Sequence, residues 1–586
     1  KRRFYRRFFY LGFLFSMSQL LWAFALLCAF VSWHASDLYY PWLKFQSEGW
    51  AAVSLLFVVA ACALPSRKHS RQVGVPLDYL SWFLLALPFV ACGHLLFNPE
   101  VFLGDVALVT LYAIGAFVAL EQGRISAALH RSGGIEVLCL LLLVSGITSV
   151  AEALYQWLQL DGLGFWVIQL PENVRPSGNF AQANRMALHT AVGIAAAFCL
   201  NQRGILTHWA TALLVSFLGL GVALTQSRAG LLSAVLILGF SVYFCRERRR
   251  SMVFYSALLV AVFSLFWALP TVSSALELGL IRTSRLAMGS RTSLMLGFID
   301  GVLQQPWWGY GPGQIVQVQV QQAANAIPVL VSFWSHNIAL DMALLFGVPV
   351  AIIFVLLIGY FAIRLIKNSW IQDNQFVVLA VIPFAVACNT EYPHAYLNSL
   401  LLFMYIMGFA SFKLMEQGSD LQSEGRGTGE LKAGIKKIVT SLVVLSFFAL
   451  GSVVVVDYYR LAYSLQVARF EAARAGTFPP GYSYPQSLLL TNLQALIFMV
   501  RQNDFATMNS KEIEEYRNAA FRNPYEPALR GYAVASGLHG VAEGSKYSAD
   551  SALKILESFY GKHAKDVALR RIELLRKEIQ ESGGVE

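Results

Sequence analysis

Lys1-Arg2-Arg3-Phe4-Tyr5-Arg6-Arg7 runs straight into FFYLGFLFSMSQLLWAFALLCAFVSW, residues Phe8–Trp33. That apolar run exceeds the roughly 20 residues an α-helix needs to cross a hydrocarbon core about 30 Å thick. It is also too long for the apolar stretch of a cleaved signal peptide and has no clear small-residue cleavage site, so it reads as a membrane helix. The basic septet in front of it is expected to stay in the cytoplasm.

Further apolar runs recur at 50–65, 77–97, 103–121, 135–157, 185–201, 205–224, 229–245, 252–270, 337–365, 376–390, 396–412 and 437–458. With the first run they predict an all-α polytopic membrane protein of about 13 transmembrane helices. The composition agrees: 56% of the 586 residues are hydrophobic and only 14% charged, against roughly a quarter charged in soluble domains. The formal charge of +10 is not a nucleic-acid signature, because the basic residues sit in short segments between apolar runs. The seven cysteines lie in or beside apolar runs, with none after Cys388 and no CxxC pair. That argues against a disulfide framework or a structural zinc site.

Alternate counting from an inside start tests this topology. The predicted cytoplasmic loops hold Arg67, Lys68 and Arg71, then Arg124 and Arg131, Arg203, the Arg246–Arg250 cluster, Arg364 and Lys367, and Lys413 through Lys437. The predicted outside loops hold few: Lys44, Arg175, Arg228, and Arg282, Arg285 and Arg291, with Arg185 at a helix mouth. Two features follow. Residues 271–336 form a long outside loop, a length that usually means function. Beyond Tyr458 the chain turns polar on that same side, with the spacing of amphipathic, repeat-like helices but no clean 34-residue period.

Each arginine outside opposes the topological bias. Arg228, in Thr225-Gln226-Ser227-Arg228-Ala229-Gly230, sits at a tight turn between two apolar runs. Its planar guanidinium suits a lipid pyrophosphate, which it can bind bidentately; capping or snorkelling is the plainer alternative. Arg291 lies upstream of Gln305-Pro306-Trp307-Trp308-Gly309-Tyr310-Gly311-Pro312-Gly313, a run that predicts a fixed turn with backbone free to approach a ligand. His336 closes the long loop just where the next membrane helix begins. An imidazole there is a candidate general base for a hydroxyl, or simply an interfacial histidine. No phosphate loop, HExxH, GxSxG or DxD pair occurs. Glu152 and Asp341 could hint at a proton-coupled transporter, but each stands alone in sequence and reads as structural.

In order and spacing, Arg175-Pro-Ser-Gly-Asn-Phe-Ala-Gln-Ala-Asn184, Ser227-Arg228-Ala-Gly, Arg291 before Gly309–Gly313, and His336-Asn337 resemble the O-antigen ligase and polymerase superfamily over residues 130–415. Glu391-Tyr392-Pro393-His394-Ala395-Tyr396 is similar to the Glu-Tyr-Pro signature of its bacterial protein O-oligosaccharyltransferases, the pilin-glycosylating branch. The resemblance implies an inner-membrane enzyme with no cofactor and no metal. It would move a glycan en bloc from undecaprenyl pyrophosphate to a serine or threonine of an exported, pilin-like protein in the periplasm. His336 would activate the acceptor, and Arg228, Arg291 and Arg175 would hold the pyrophosphate. Asn184, Ser227, Asn337, Glu391, Tyr392 and Tyr396 would bind substrate or shape the site. The chain departs from that pattern at Ala183-Asn184-Arg185, where the family usually has Pro-Asn-His. It departs again at Asp341 and Leu345, where Gln and Glu are common. Competing expectations are an O-antigen ligase acting on lipid A-core, a repeat-unit polymerase, or a glycan-lipid transporter. The domain plan is then 1–134 N-terminal membrane helices and 135–415 a ligase-like catalytic core including loop 271–336. A cytoplasmic linker at 416–436, the last span at 437–458 and a periplasmic helical domain at 459–586 complete it.

Overall fold

A computed structural model describes residues 17–36, 42–64, 77–130, 133–171, 174–278, 287–325, 331–368, 372–417, 426–473, 475–476, 485–539 and 549–582. Among them the regular elements are all helices. The first nine are α1 (Met17–His34), α2 (Phe45–Ala63), α3 (Tyr79–Phe97), α4 (Leu103–His130), α5 (Gly133–Trp157), α6 (Ala183–Gln202), α7 (His208–Thr225), α8 (Arg228–Phe244) and α9 (Arg249–Ala275). The 271–336 segment contributes α10 (Ala287–Gln304) and α11 (Ile315–Ala324). Then come α12 (Ile338–Phe346), α13 (Val348–Lys367), α14 (Gln372–Cys388), α15 (Leu397–Gln417) and α16 (Arg426–Ala472). The C-terminal helices are α17 (Thr491–Arg501), α18 (Ser510–Arg522), α19 (Glu526–His539), α20 (Ala549–Tyr560) and α21 (Lys562–Ser582).

Eleven of these helices are long and apolar enough to cross a membrane, and α8, α14 and Ser293–Gln304 of α10 are shorter apolar helices. The eleven with α8 and α14 fall on the thirteen predicted runs; Ser293–Gln304 lies in the long loop between two of them. Helix α6 is the centre of one half: Arg185–Asn201 is buried throughout, against α5, α7, α8 and α14. A second apolar core joins α2, α3, α4, α12, α15 and α16 with residues of α10 and α11.

Buried charge is paired at both ends of α4. Arg124, counted above as a cytoplasmic loop charge, lies inside α4 and is fully buried; it donates to Asp78 and Glu121. Lys436 Nζ is 2.8 Å from the other oxygen of Glu121. A guanidinium out of water needs such carboxylates, so its role here is structural. At the opposite end Asp105 accepts two hydrogen bonds from Arg522 of α18, both 2.9 Å, and one from Asn492 at 3.1 Å. Burial opposes charge on Arg522, yet Asp105 outweighs it and holds the guanidinium above its ordinary pKa.

Three expectations change. The run 337–365 is not one helix. It breaks at Gly347 (φ 86°), followed by Pro349 in the first turn of α13. The turn Gly309–Gly313 causes the break: Tyr310 N and Gly311 N donate to the carbonyls of Leu344 and Leu345 at 2.7 and 3.1 Å, satisfying the end of α12. Second, the glycines expected to meet a ligand are therefore spent on packing; Gly309 (φ 70°) has Leu344 O 2.6 Å from where a Cβ would stand. Third, the boundaries at 436/437 and 458/459 are not breaks, because α16 runs unbroken from Arg426 to Ala472. Residues 418–425 of the expected linker, the basic septet 1–7 and residues 8–16 of the first run lie outside the described residues.

Candidate active site

The sequence Trp334-Ser335-His336-Asn337 enters α12 through a side-chain cap. Asn337 Oδ1 accepts from the amides of Ala339 and Leu340, both at 3.1 Å, so the short helix starts at a fixed residue. The residue before it, His336, has φ 63°. A non-glycine residue there is uncommon, and such backbone strain concentrates at functional sites. Asp341 holds the approach: its Oδ1 accepts from Ser335 N at 2.7 Å, and its Oδ2 stands 3.1 Å from His394 Nε2. Asp341 is thus not isolated as the sequence suggested: Oδ1 is hydrogen-bonded, while Oδ2 and His394 Nε2 face each other without hydrogen-bond alignment.

The strained backbone aims His336 at the Glu391-Tyr392-Pro393 turn. Its Nδ1 is 3.4 Å from Glu391 Oε2, an ion-pair approach without hydrogen-bond alignment, and its ring meets Tyr392 edge-on with centroids 5.1 Å apart. The imidazole is 22% exposed while Glu391 is almost wholly buried. Glu391 is fixed from the other side by the mouth of α6. Asn184 Nδ2 donates to Oε1 at 2.6 Å and Gln182 Nε2 to Oε2 at 3.3 Å. The Tyr396 hydroxyl donates to Gln182 Oε1 at 3.4 Å. Burial first, and then the Glu391 carboxylate, pushes the Tyr392 phenol above its ordinary pKa. Trp334, Tyr392 and Tyr396 form a row of stacked rings.

Two cations flank that row. The Arg185 guanidinium lies 3.6 Å from the Tyr396 ring centroid and donates to Phe180 O at 2.9 Å. Lys44 Nζ stands 4.3 Å from the same ring and 3.5 Å from Glu48. Arg175 and Arg228 form a second group. Gln226, with φ 47°, ends α7 in the left-handed conformation, Ser227 caps α8 by accepting from Gly230 N, and Arg228 is the first residue of α8. Arg175 donates to Gln226 O at 3.5 Å, which brings its guanidinium to the turn where Arg228 begins α8. Arg228 is exposed there. Arg291 falls in α10, and its side chain lies outside the described residues, as do Arg282 and Arg285.

So the structure brings together His336, Asn337, Glu391, Tyr392, Tyr396 and Asn184, and separately Arg175, Ser227 and Arg228. Sequence reasoning missed Gln182 and Lys44 as site residues. Gln182 sits inside the Arg175–Asn184 motif, and Lys44 is one of the few positive charges in the loops expected outside, the same signal that singled out Arg228. Glu152, taken as an isolated carboxylate, belongs to a buried chain. Its Oε1 is 2.7 Å from His34 Nδ1, His34 Nε2 is 2.9 Å from Ser145 Oγ, and Ser145 Oγ is 2.7 Å from His189 Nε2. Its Oε2 accepts from Asn179 N, so the chain anchors the loop that carries Arg175 and Gln182.

A buried carboxylate, shared between two amides and facing a partly exposed imidazole, can orient that imidazole. Two guanidiniums at a helix start can hold an anion. Comparison with known proteins adds to this geometry. Residues 186–355 match the family described as O-antigen ligase, a segment that includes Arg228, Arg291 and His336. The general O-oligosaccharyltransferase of Acinetobacter baylyi is 25% identical over 413 residues, 66% of this chain and 69% of that protein. The ComP-specific O-oligosaccharyltransferase of the same organism is 25% identical over 254 residues, 42% of this chain and 46% of that protein. The likeness to the protein O-oligosaccharyltransferase branch of the ligase superfamily thus extends well beyond the short motifs.

Proposed function

We propose that this chain transfers a glycan en bloc from undecaprenyl pyrophosphate to a serine or threonine hydroxyl of an exported, pilin-like protein, at the periplasmic face of a bacterial inner membrane. The observation that carries it is the His336–Glu391 pair, 3.4 Å apart and braced by Asn184 and Gln182. With Nδ1 facing the carboxylate, Nε2 is left to take the acceptor proton as the oxygen attacks the anomeric carbon. Glu391 stabilises the imidazolium that forms. The bond from the anomeric carbon to the pyrophosphate oxygen breaks as the new glycosidic bond forms. Arg228 and Arg175, with Arg291, stabilise the charge that develops on the leaving group. Guanidiniums supply that stabilisation without a divalent ion, so transfer is expected to persist in a chelator. The names of both relatives, O-oligosaccharyltransferases, support protein as the acceptor. The matched family is described as O-antigen ligase, and the same chemistry would serve the alternative reading, in which the acceptor is lipid A-core or a repeat unit.

The test of the base is His336→Ala in a strain lacking the native enzyme. The variant should insert normally and lose glycosylation, since a positioned base contributes roughly 10²–10⁴-fold. Glycosylation within a few-fold of wild type would remove His336 from this role.

A further inference from the structure

Helix α10 has three sectors rather than two. Phe298 is buried, and Gly297 and Gly301 press so closely on α11 that a Cβ at either would stand 2.6 Å from Gln322 or Val318. Leu294 and Val302 are half-buried against the same core, and the exposed side chains among the described residues are not uniformly polar. At 100° per residue the exposed side chains Met295, Leu296, Ile299 and Leu303 fall on one side, and exposed Ser293, Asp300 and Gln304 on the adjoining side. Leu303 is 72% exposed, and the stripe continues into Trp307 at 74% and Trp308 at 66%.

The stripe does not end in open space. Trp308 packs against Phe97 at the end of α3, with ring centroids 6.2 Å apart. Pro306 O accepts from Val348 N, the first residue of α13, at 2.7 Å. Helices α3 and α13 are both membrane-span candidates with exposed apolar faces, Phe89 and Leu96 on one and Ile352 and Leu356 on the other. The apolar face of α10 is therefore continuous with the lipid-facing surface of the bundle, and two tryptophans mark the join, where aromatic side chains favour the headgroup level.

From this we infer that α10 lies in the lipid–water interface on the side of the bundle that holds His336. Its Leu296–Ile299–Leu303 face sits in the headgroup–acyl boundary and its Asp300–Gln304 face in water. The occupant is the lipid surface itself, about 5–10 Å deep. An amphipathic helix held there fixes the depth of the segment that carries Arg291, whatever the chain transfers.

The full chain in lipid nanodiscs tests this. In a Cys92→Ser background, which removes the exposed native thiol, an NBD probe is attached at Ile299→Cys, Leu303→Cys or Gln304→Cys in turn. At 299 and 303 the emission should shift to the blue, and lipids spin-labelled near the headgroup should quench it severalfold more than at 304. Iodide should show the reverse order. Equal iodide quenching at all three sites would put the stripe in water and overturn the inference. Shielding of 299 and 303 from both iodide and spin-labelled lipid would mean a protein covers the face, and would overturn it equally.

Discussion

Among single residues, in the proposed reaction the arginines hold an anion and His336 moves a proton. Arg228→Lys and Arg291→Lys keep the charge but replace a planar fork with a point ammonium. Each should impair transfer badly, measured as the initial rate with purified lipid-linked glycan. If both lysine variants work normally while alanine variants fail, charge alone suffices and the bidentate contact is wrong. Glu391→Gln keeps the shape but removes the carboxylate that faces His336 Nδ1 at 3.4 Å. Its loss should appear in kcat with little change in KM for the acceptor, and should be smaller than that of His336→Ala, because only the orienting group is removed. A change confined to KM would make Glu391 a binding residue instead. His336, Glu391, Tyr392 and Asn184 were legible because each sits in a short motif that names it. Lys44 was not, since what recruits it is a partner some 350 residues away in the chain; Gln182 shares a motif with Asn184, but only the fold shows that both amides brace Glu391.

At the scale of elements, the apolar pattern located the helices and missed how they break. Leu344-Leu345-Phe346-Gly347-Val348-Pro349-Val350 reads as one continuous membrane run, because nothing local shows that the Gly309–Gly313 turn finishes α12. Gly309→Ala tests that junction. It places a methyl 2.6 Å from Leu344 O at a residue with φ 70°, and should cost about 1–3 kcal/mol. Thermal unfolding in detergent should show a lowered midpoint. Transfer should fall too, since α12 carries the cap that seats His336. Gly359→Ala, in α13 with open space around it, is the control and should leave both unchanged. A Gly309→Ala protein as stable as this control would mean the turn does not fix the break.

At the scale of the whole molecule, the amphipathic C-terminal helices were legible from periodicity but their attachment was not. Val316, Val320 and Ala323 of α11 share one core with Tyr516, Leu529 and Ile555, and Asp105 of α4 grips Arg522. The C-terminal helices therefore pack at the end of the bundle to which charge counting assigned the long loop. We expect truncation after Ala472 to weaken transfer to a folded acceptor protein while a short acceptor peptide at high concentration still reacts. Equal loss on both would mean that the domain only supports α11. The central claim, that this site joins a whole lipid-linked glycan to protein, is tested most directly by intact mass. The purified chain is given undecaprenyl-pyrophosphate glycan, with equal amounts of a pilin-like protein and lipid A-core, in the presence of a chelator. The account predicts a mass increase of one complete glycan on the protein, absent with His336→Ala. Glycan on the lipid A-core with the protein unmodified would contradict it.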